Sequence, residues 1–169
     1  NGHGTHVAGI ISSTDDVYQG VSFDSDLFDV KVLDSEGSGS GSDVINGIEW
    51  AVDNNVDVIS MSLGAPTDNC DGTDAISEAV NNAASQGVTV VVAAGNEGPN
   101  EETITIPGCA EKAITVGSTD LNDQISDFSS RGPTADGRTK PDVVAPGESI
   151  TSTWNDGGFN SISGTSMST

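Results

Sequence analysis

Two histidines stand three residues apart near the start of the chain, in the run Asn-Gly-His-Gly-Thr-His-Val-Ala-Gly. They are His3 and His6, and there are no others. A pair at this spacing on a helix can hold a metal. No third histidine follows, and no acid stands at a zincin spacing. Imidazole titrates near neutrality, so a general base is the better use. His3 is given that role, and His6, before Val7, Ala8 and Gly9, reads as a packed helix residue. Ser166 lies at the far end, in Ser-Gly-Thr-Ser-Met-Ser. Small neighbours let its hydroxyl emerge at a tight turn. A helix starting there favours nearby negative charge, such as a tetrahedral oxyanion. A plain N-cap serine fits the same residues. Asn96 ends an apolar run, with Gly95 before it and Glu97, Gly98 and Pro99 after it. Its amide NH₂ can donate to a developing oxyanion. A turn asparagine is the simpler use.

Such groups need a frame. Residues 27–33, 56–63, 88–94, 113–117 and 143–145 are apolar and β-branched and predict strands. Residues 44–54 carry Val44, Ile45, Ile48 and Ala51 at helical spacing, with Asp43 or Ser42 as the expected cap. Residues 73–86 predict a second helix that ends at Gly87. Strands alternating with helices imply right-handed crossovers and a parallel sheet. Active groups then sit beyond the carboxyl ends of the strands. The run 37–42, Gly-Ser-Gly-Ser-Gly-Ser, lies between a strand and its crossover helix and reads as a loop inside the domain.

The 169 residues suffice for one domain, 1–169, with a real core. Five Lys and Arg face 26 Asp and Glu, giving a net charge of −21. So few cations exclude a nucleic-acid binder, which needs clustered Lys and Arg. No apolar run approaches the roughly 20 residues of a membrane span, so no membrane partner is expected. Apolar runs between turn signals argue against disorder. Self-repulsion of this size is relieved in molar salt, where the Debye length falls to about 3 Å. Salt adaptation is therefore expected, with an ordinary acidic secreted protein as the alternative. The chain opens without Met inside a motif and stops as abruptly at Thr169. It reads as an internal piece of a longer protein.

HGTHVAG at 3–9, SMSLG at 60–64, AAGN at 93–96 and GTSMS at 164–168 occur in that order. Together they closely resemble the subtilisin-like serine proteases. KVLDSEGSGS, INGIEWAVDNN, DFSSRGP and KPDVVAPG extend the resemblance along the whole chain. The acid-rich composition is similar to that of the halolysins. The resemblance implies a three-layer α/β fold with a mostly parallel sheet and helices on both faces, incomplete at both ends. It makes Ser166 the nucleophile, His3 the general base, and Asn96 an oxyanion donor beside the Ser166 N–H. Ser62, Leu63 and Gly64 resemble one rail for an extended substrate backbone, and Gly37, Ser38 and Gly39 the other. Ala94 and Gly95, with Ala93 and Thr105, would line the pocket for the residue before the cleaved bond. No buried acid is expected there, which implies broad cleavage with an apolar preference. The resemblance further implies polypeptide substrates, a monomer, secretion and a cis bond at Ile106-Pro107.

The family's third catalytic group is an Asp in a D-[ST]-G motif before the histidine, and no such motif occurs here. Asp142 does not match it and reads as a structural carboxylate. The 169 residues alone are therefore expected to be inactive and poorly folded. A non-catalytic relative kept for binding or assembly is the alternative to an enzyme. No cofactor is needed for the chemistry. Structural calcium is an expectation for the loop holding Asp15 and Asp16, near Asp24 and Asp26. Cys70 and Cys109 are the only cysteines, and a secreted protease favours a disulfide between them.

Overall fold

The computed structural model describes residues 2–169. Four strands form one parallel sheet in chain order. They are β1 (Val58–Met61), β2 (Thr89–Ala93), β3 (Ile114–Thr119) and β4 (Val143–Pro146). The register sets Met61 opposite Val92, Ala93 opposite Val116 and Val116 opposite Val143. Helices α1 (His3–Ser12), α2 (Gly41–Asp53), α3 (Ala75–Ser85) and α4 (Thr165–Ser168) complete the frame with a hairpin of β5 (Ile150–Thr153) and β6 (Phe159–Ile162).

One face of α2 and one of α3 make the core with the sheet. Val44 and Ile48 of α2 and Val80 and Ala83 of α3 pack with Met61, Val90 and Val92. In β3 every residue from Thr115 to Thr119 is buried, as expected when layers cover both faces. α4 packs against β2, β3 and β4.

Local sequence explains the helix ends, with one correction. The cap of α2 is neither Asp43 nor Ser42 but Ser40. Its side chain accepts the Asp43 N–H, and the Asp43 carboxylate accepts the Ser40 N–H in return. This reciprocal pair starts the helix at Gly41. Asp74 caps α3 by accepting the N–H groups of Ile76 and Ser77.

A second correction concerns 27–33. Its residues suit a strand, yet it joins no sheet. Leu27 is 48% exposed and Phe28 56%. Strand composition states a preference for a half-buried pleated surface, and no ladder partner lies beside this segment among the described residues. The hairpin β5–β6 was not expected. Its strands, Ile-Thr-Ser-Thr and Phe-Asn-Ser-Ile, are short and polar, so no apolar run announces them.

Scarce cations serve as internal fasteners. Lys140 is 5% exposed; its Nζ donates to the Ala113 carbonyl (2.8 Å) and pairs with Asp142 (2.7 Å). The same Asp142 oxygen accepts the Thr115 N–H at 2.7 Å, which fits the structural role expected of this carboxylate. Arg138 donates to the carbonyls of Cys109 (3.0 Å) and Asp71 (2.9 Å) and to the Asp136 carboxylate (2.7 Å). This guanidinium, with the Thr134 hydroxyl, holds the Asp136 carboxyl down to about 2. A disulfide joins Cys70 to Cys109, as expected, with their Cα atoms 5.3 Å apart.

Candidate active site

β1 and β2 end side by side, so the segments that follow them, 62–64 and 94–96, emerge at the same edge of the sheet. Carboxyl ends of parallel strands are where such sheets place their chemistry. α4 closes this edge. The Thr165 N–H donates to the Asn96 Oδ1 at 2.9 Å, and the Thr165 hydroxyl donates to the same oxygen at 3.1 Å. That hydroxyl also accepts the Gly95 N–H at 3.2 Å. With its oxygen engaged twice, the Asn96 carboxamide is fixed in orientation and its NH₂ is the end left to donate.

Ser166 is half-buried at the first turn of α4. Ser62 and Ser166 bind one another: the Ser62 hydroxyl donates to the Ser166 carbonyl (2.9 Å), and the Ser166 hydroxyl donates to the Ser62 carbonyl (3.4 Å). The second bond is long and easily exchanged. Beside Ser166 lies a cavity of about 110 Å³ whose walls include Leu63, Gly64, Asn96, Glu97 and Thr105. Gly95 sits at φ +109°, and a Cβ there would stand 2.6 Å from Thr105. Glycine is thus needed twice over, by backbone conformation and by close approach.

His3 occupies the first turn of α1, which packs against α4. Burial pushes its imidazole below the ordinary value of 6.5, and the neighbouring His6 acts in the same direction. A lowered value keeps His3 neutral, and able to take a proton, at pH 7.

The structure gathers most of the expected site. Ser166, Asn96, Leu63, Gly64 and Gly95 line one cavity, and Ser62 is bonded to Ser166. Two expectations need restatement. Ala94 does not line the cavity; it is fully buried in a cluster with Cys70, Ile104 and Cys109. Gly37, Ser38 and Gly39 were expected as a second rail and not as cavity wall; Ser38 and Gly39 border a separate open groove of about 570 Å³ between 30–34 and α2. Asp15 and Asp16 gather no ligand cluster. The Asp15 carboxylate accepts the Val17 and Tyr18 N–H groups, and no group of three His, Cys, Asp or Glu among the described residues suits a metal. The Ile106-Pro107 bond is cis, as the resemblance implied. Sequence reasoning missed Thr165. Its only signal was its place beside Ser166, since its partners lie 69 and 70 residues away.

A serine hydroxyl at a cavity, a fixed carboxamide donor and a neutral imidazole on touching helices are what acyl transfer by a serine requires. The chain belongs to the Subtilase family, whose model matches residues 1–169. It is 44% identical over 172 residues to the serine protease AprX of Bacillus subtilis, covering 90% of this chain and 39% of that protein. It is 46% identical over 171 residues to the subtilisin of Bacillus pumilus, covering 99% of this chain and 58% of that protein. The solved structure of sphericase superposes with a TM-score of 0.87 at 40% identity, over 100% of this chain and 60% of that one. The chain thus spans between two-fifths and three-fifths of the length of these relatives.

Proposed function

We propose that the whole protein is a serine endopeptidase that cleaves polypeptides through an acyl-enzyme. The observation that carries this is the Asn96 carboxamide, locked by Thr165 beside the Ser166 hydroxyl. Ser166 attacks the scissile carbonyl. His3, held neutral by burial, accepts the hydroxyl proton and returns it to the leaving amine. The Asn96 NH₂ and the Ser166 N–H receive the oxyanion. The stretches at 62–64 and 37–39 flank the substrate backbone. The residues lining the cavity are mostly small, half of them polar, with Glu97 the one acid, which supports broad cleavage. No cofactor enters the chemistry.

The 169 residues alone are expected to be close to inactive, because the D-[ST]-G motif is not among them. Loss of that Asp costs subtilisin, a relative, about 3 × 10⁴ in kcat. The protein acts as a secreted, salt-adapted monomer resembling the halolysins. The net charge of −21 supports salt adaptation, and the disulfide supports an oxidising compartment. Among the described residues no helix is long and apolar enough to cross a membrane.

The test is to treat the full-length protein with a serine-directed phosphonylating reagent and to map the adduct. Labelling at Ser166 together with loss of peptide hydrolysis is expected; hydrolysis that survives full labelling overturns the assignment. For salt, a folding titration in NaCl should show stability rising toward molar concentration. Full stability at about 50 mM would remove that part of the reading.

A further inference from the structure

His6 is fully buried and has no part in the chemistry above. Its Nε2 lies 3.0 Å from the Ile150 carbonyl on β5 and 3.0 Å from the Asn160 carbonyl on β6. Both partners are acceptors, so Nε2 carries the hydrogen and shares it between the two strands. Nδ1 is buried without a partner. The ring meets Trp154, in the hairpin turn, edge-on at 6.1 Å between centroids.

The rest of α1 explains why this matters. The helix has 10 residues, no side-chain cap at its start, and only His6 and Gly9 buried. Its large apolar side chains, Val7, Ile10 and Ile11, are only half-buried. Polar bonds to the hairpin supplement them: Ser152 Oγ donates to the His6 carbonyl (2.9 Å), and Thr153 Oγ1 donates to the Thr5 carbonyl (2.8 Å). Gly9 admits this approach, since a Cβ there would meet Thr153 Oγ1 at 2.2 Å. His3 lies one turn before His6 on the same helix face. β6 ends at Ile162, four residues before Ser166. The hairpin therefore touches the helix of the base and leads into the helix of the nucleophile.

We propose that His6 is a positioning residue for His3: one N–H shared across both strands of the hairpin sets where α1 stands relative to Ser166. This rests on the reading of His3 and Ser166 as base and nucleophile. Of the elements packed against α1, β5 and α4 carry no titratable side chain, and the hairpin turn carries only the exposed Asp156. On α1 itself the one other titratable group is His3.

The test uses the full-length protein with His6→Leu, which removes the donor, and His6→Gln, whose amide nitrogen can replace Nε2–H. A displacement of His3 by about 1 Å costs up to about 100-fold. His6→Leu is expected to lower kcat by about 10- to 100-fold with KM within about twofold. The acid limb of its kcat/KM profile should move up toward the ordinary histidine value, because the neighbouring His6 is gone and a loosened α1 leaves His3 less buried; in His6→Gln, which also lacks the imidazole but keeps the bond, it should move less. His6→Gln should restore most of kcat. A fall that only tracks the folded fraction, with the acid limb unmoved and Gln no better than Leu, overturns the proposal. Should neither variant fold, ¹⁵N NMR of the unsubstituted protein decides: hydrogen on Nε2 of His6 supports the proposal, and hydrogen on Nδ1 alone sinks it. Phosphonylation separates the two readings. If the unsubstituted protein does not label at Ser166, the proposed function fails first. If it labels and His6→Leu behaves like it, only the role of His6 fails.

Discussion

The corner where β1, β2 and α4 meet and the segment 27–33 differ in what satisfies them. At the corner, Ser62, Gly95, Asn96, Thr165 and Ser166 bind one another across 69 to 104 residues of chain. Every long-range partner is within the chain. Segment 27–33 has strand composition but no ladder, and Leu27 and Phe28 face solvent. A polar corner that closes on itself keeps its geometry, whereas an apolar strand sequence without a ladder partner, touching the core only through Val32, keeps only its preference.

Five experiments probe that contrast. The largest effect belongs to Ser166→Ala in the full-length protein: kcat on a peptide substrate should fall by about 2 × 10⁶, the loss seen in subtilisin. Asn96→Leu should cost about 10²–10³ in kcat with KM little changed, measured by steady-state kinetics. Thr165→Val removes one bond to the Asn96 oxygen but leaves the backbone N–H, so kcat should fall only about five- to tenfold. An equal loss for Thr165→Val and Asn96→Leu would mean that the backbone bond holds nothing. Changing Cys70 and Cys109 together to Ser opens a loop of sequence separation 39. Urea unfolding should then show about 3–4 kcal/mol less stability, with kcat preserved. At the other region, Leu27→Ser or Phe28→Ser should change the stability of the 169-residue chain by less than about 0.5 kcal/mol, measured in salt that supports folding. A loss above about 2 kcal/mol would show the segment packed, and the contrast would collapse.

Periodicity and apolar runs made α2, α3 and β1 to β4 legible: α2, α3, β1 and β2 bury residues in one core, β3 is buried along most of its length, and β4 is legible by its composition alone. Motif order made His3, Asn96 and Ser166 legible. Three kinds of feature were not. The hairpin β5–β6 is polar and short, so its pairing shows only in three dimensions. The cap of α2 shifted to Ser40 because Asp43 serves as the reciprocal partner, not as the cap. The duties of Thr165 and His6 depend on atoms 69 to 154 residues away, beyond any local pattern. Ala94 was misplaced for a related reason: at a strand end, adjacent residues face opposite sides, and Ala94 turned toward the disulfide.

The anchoring of Arg138 and Lys140 also limits how far composition can drift. A lineage adapting to brine gains by shedding Lys and Arg, because each loss deepens the acidic shell. That route stops at fasteners. Lys140 joins the Ala113 carbonyl and the Asp142 carboxylate, Arg138 joins two loop carbonyls and a carboxylate, and Lys112 reaches the Ser85 hydroxyl. Of the five basic residues four bond within the chain, Lys31 to the Leu33 carbonyl being the fourth, so the composition stands near a floor for such shedding. Further acidification must come from converting neutral surface positions to Asp or Glu, not from removing the cations that remain.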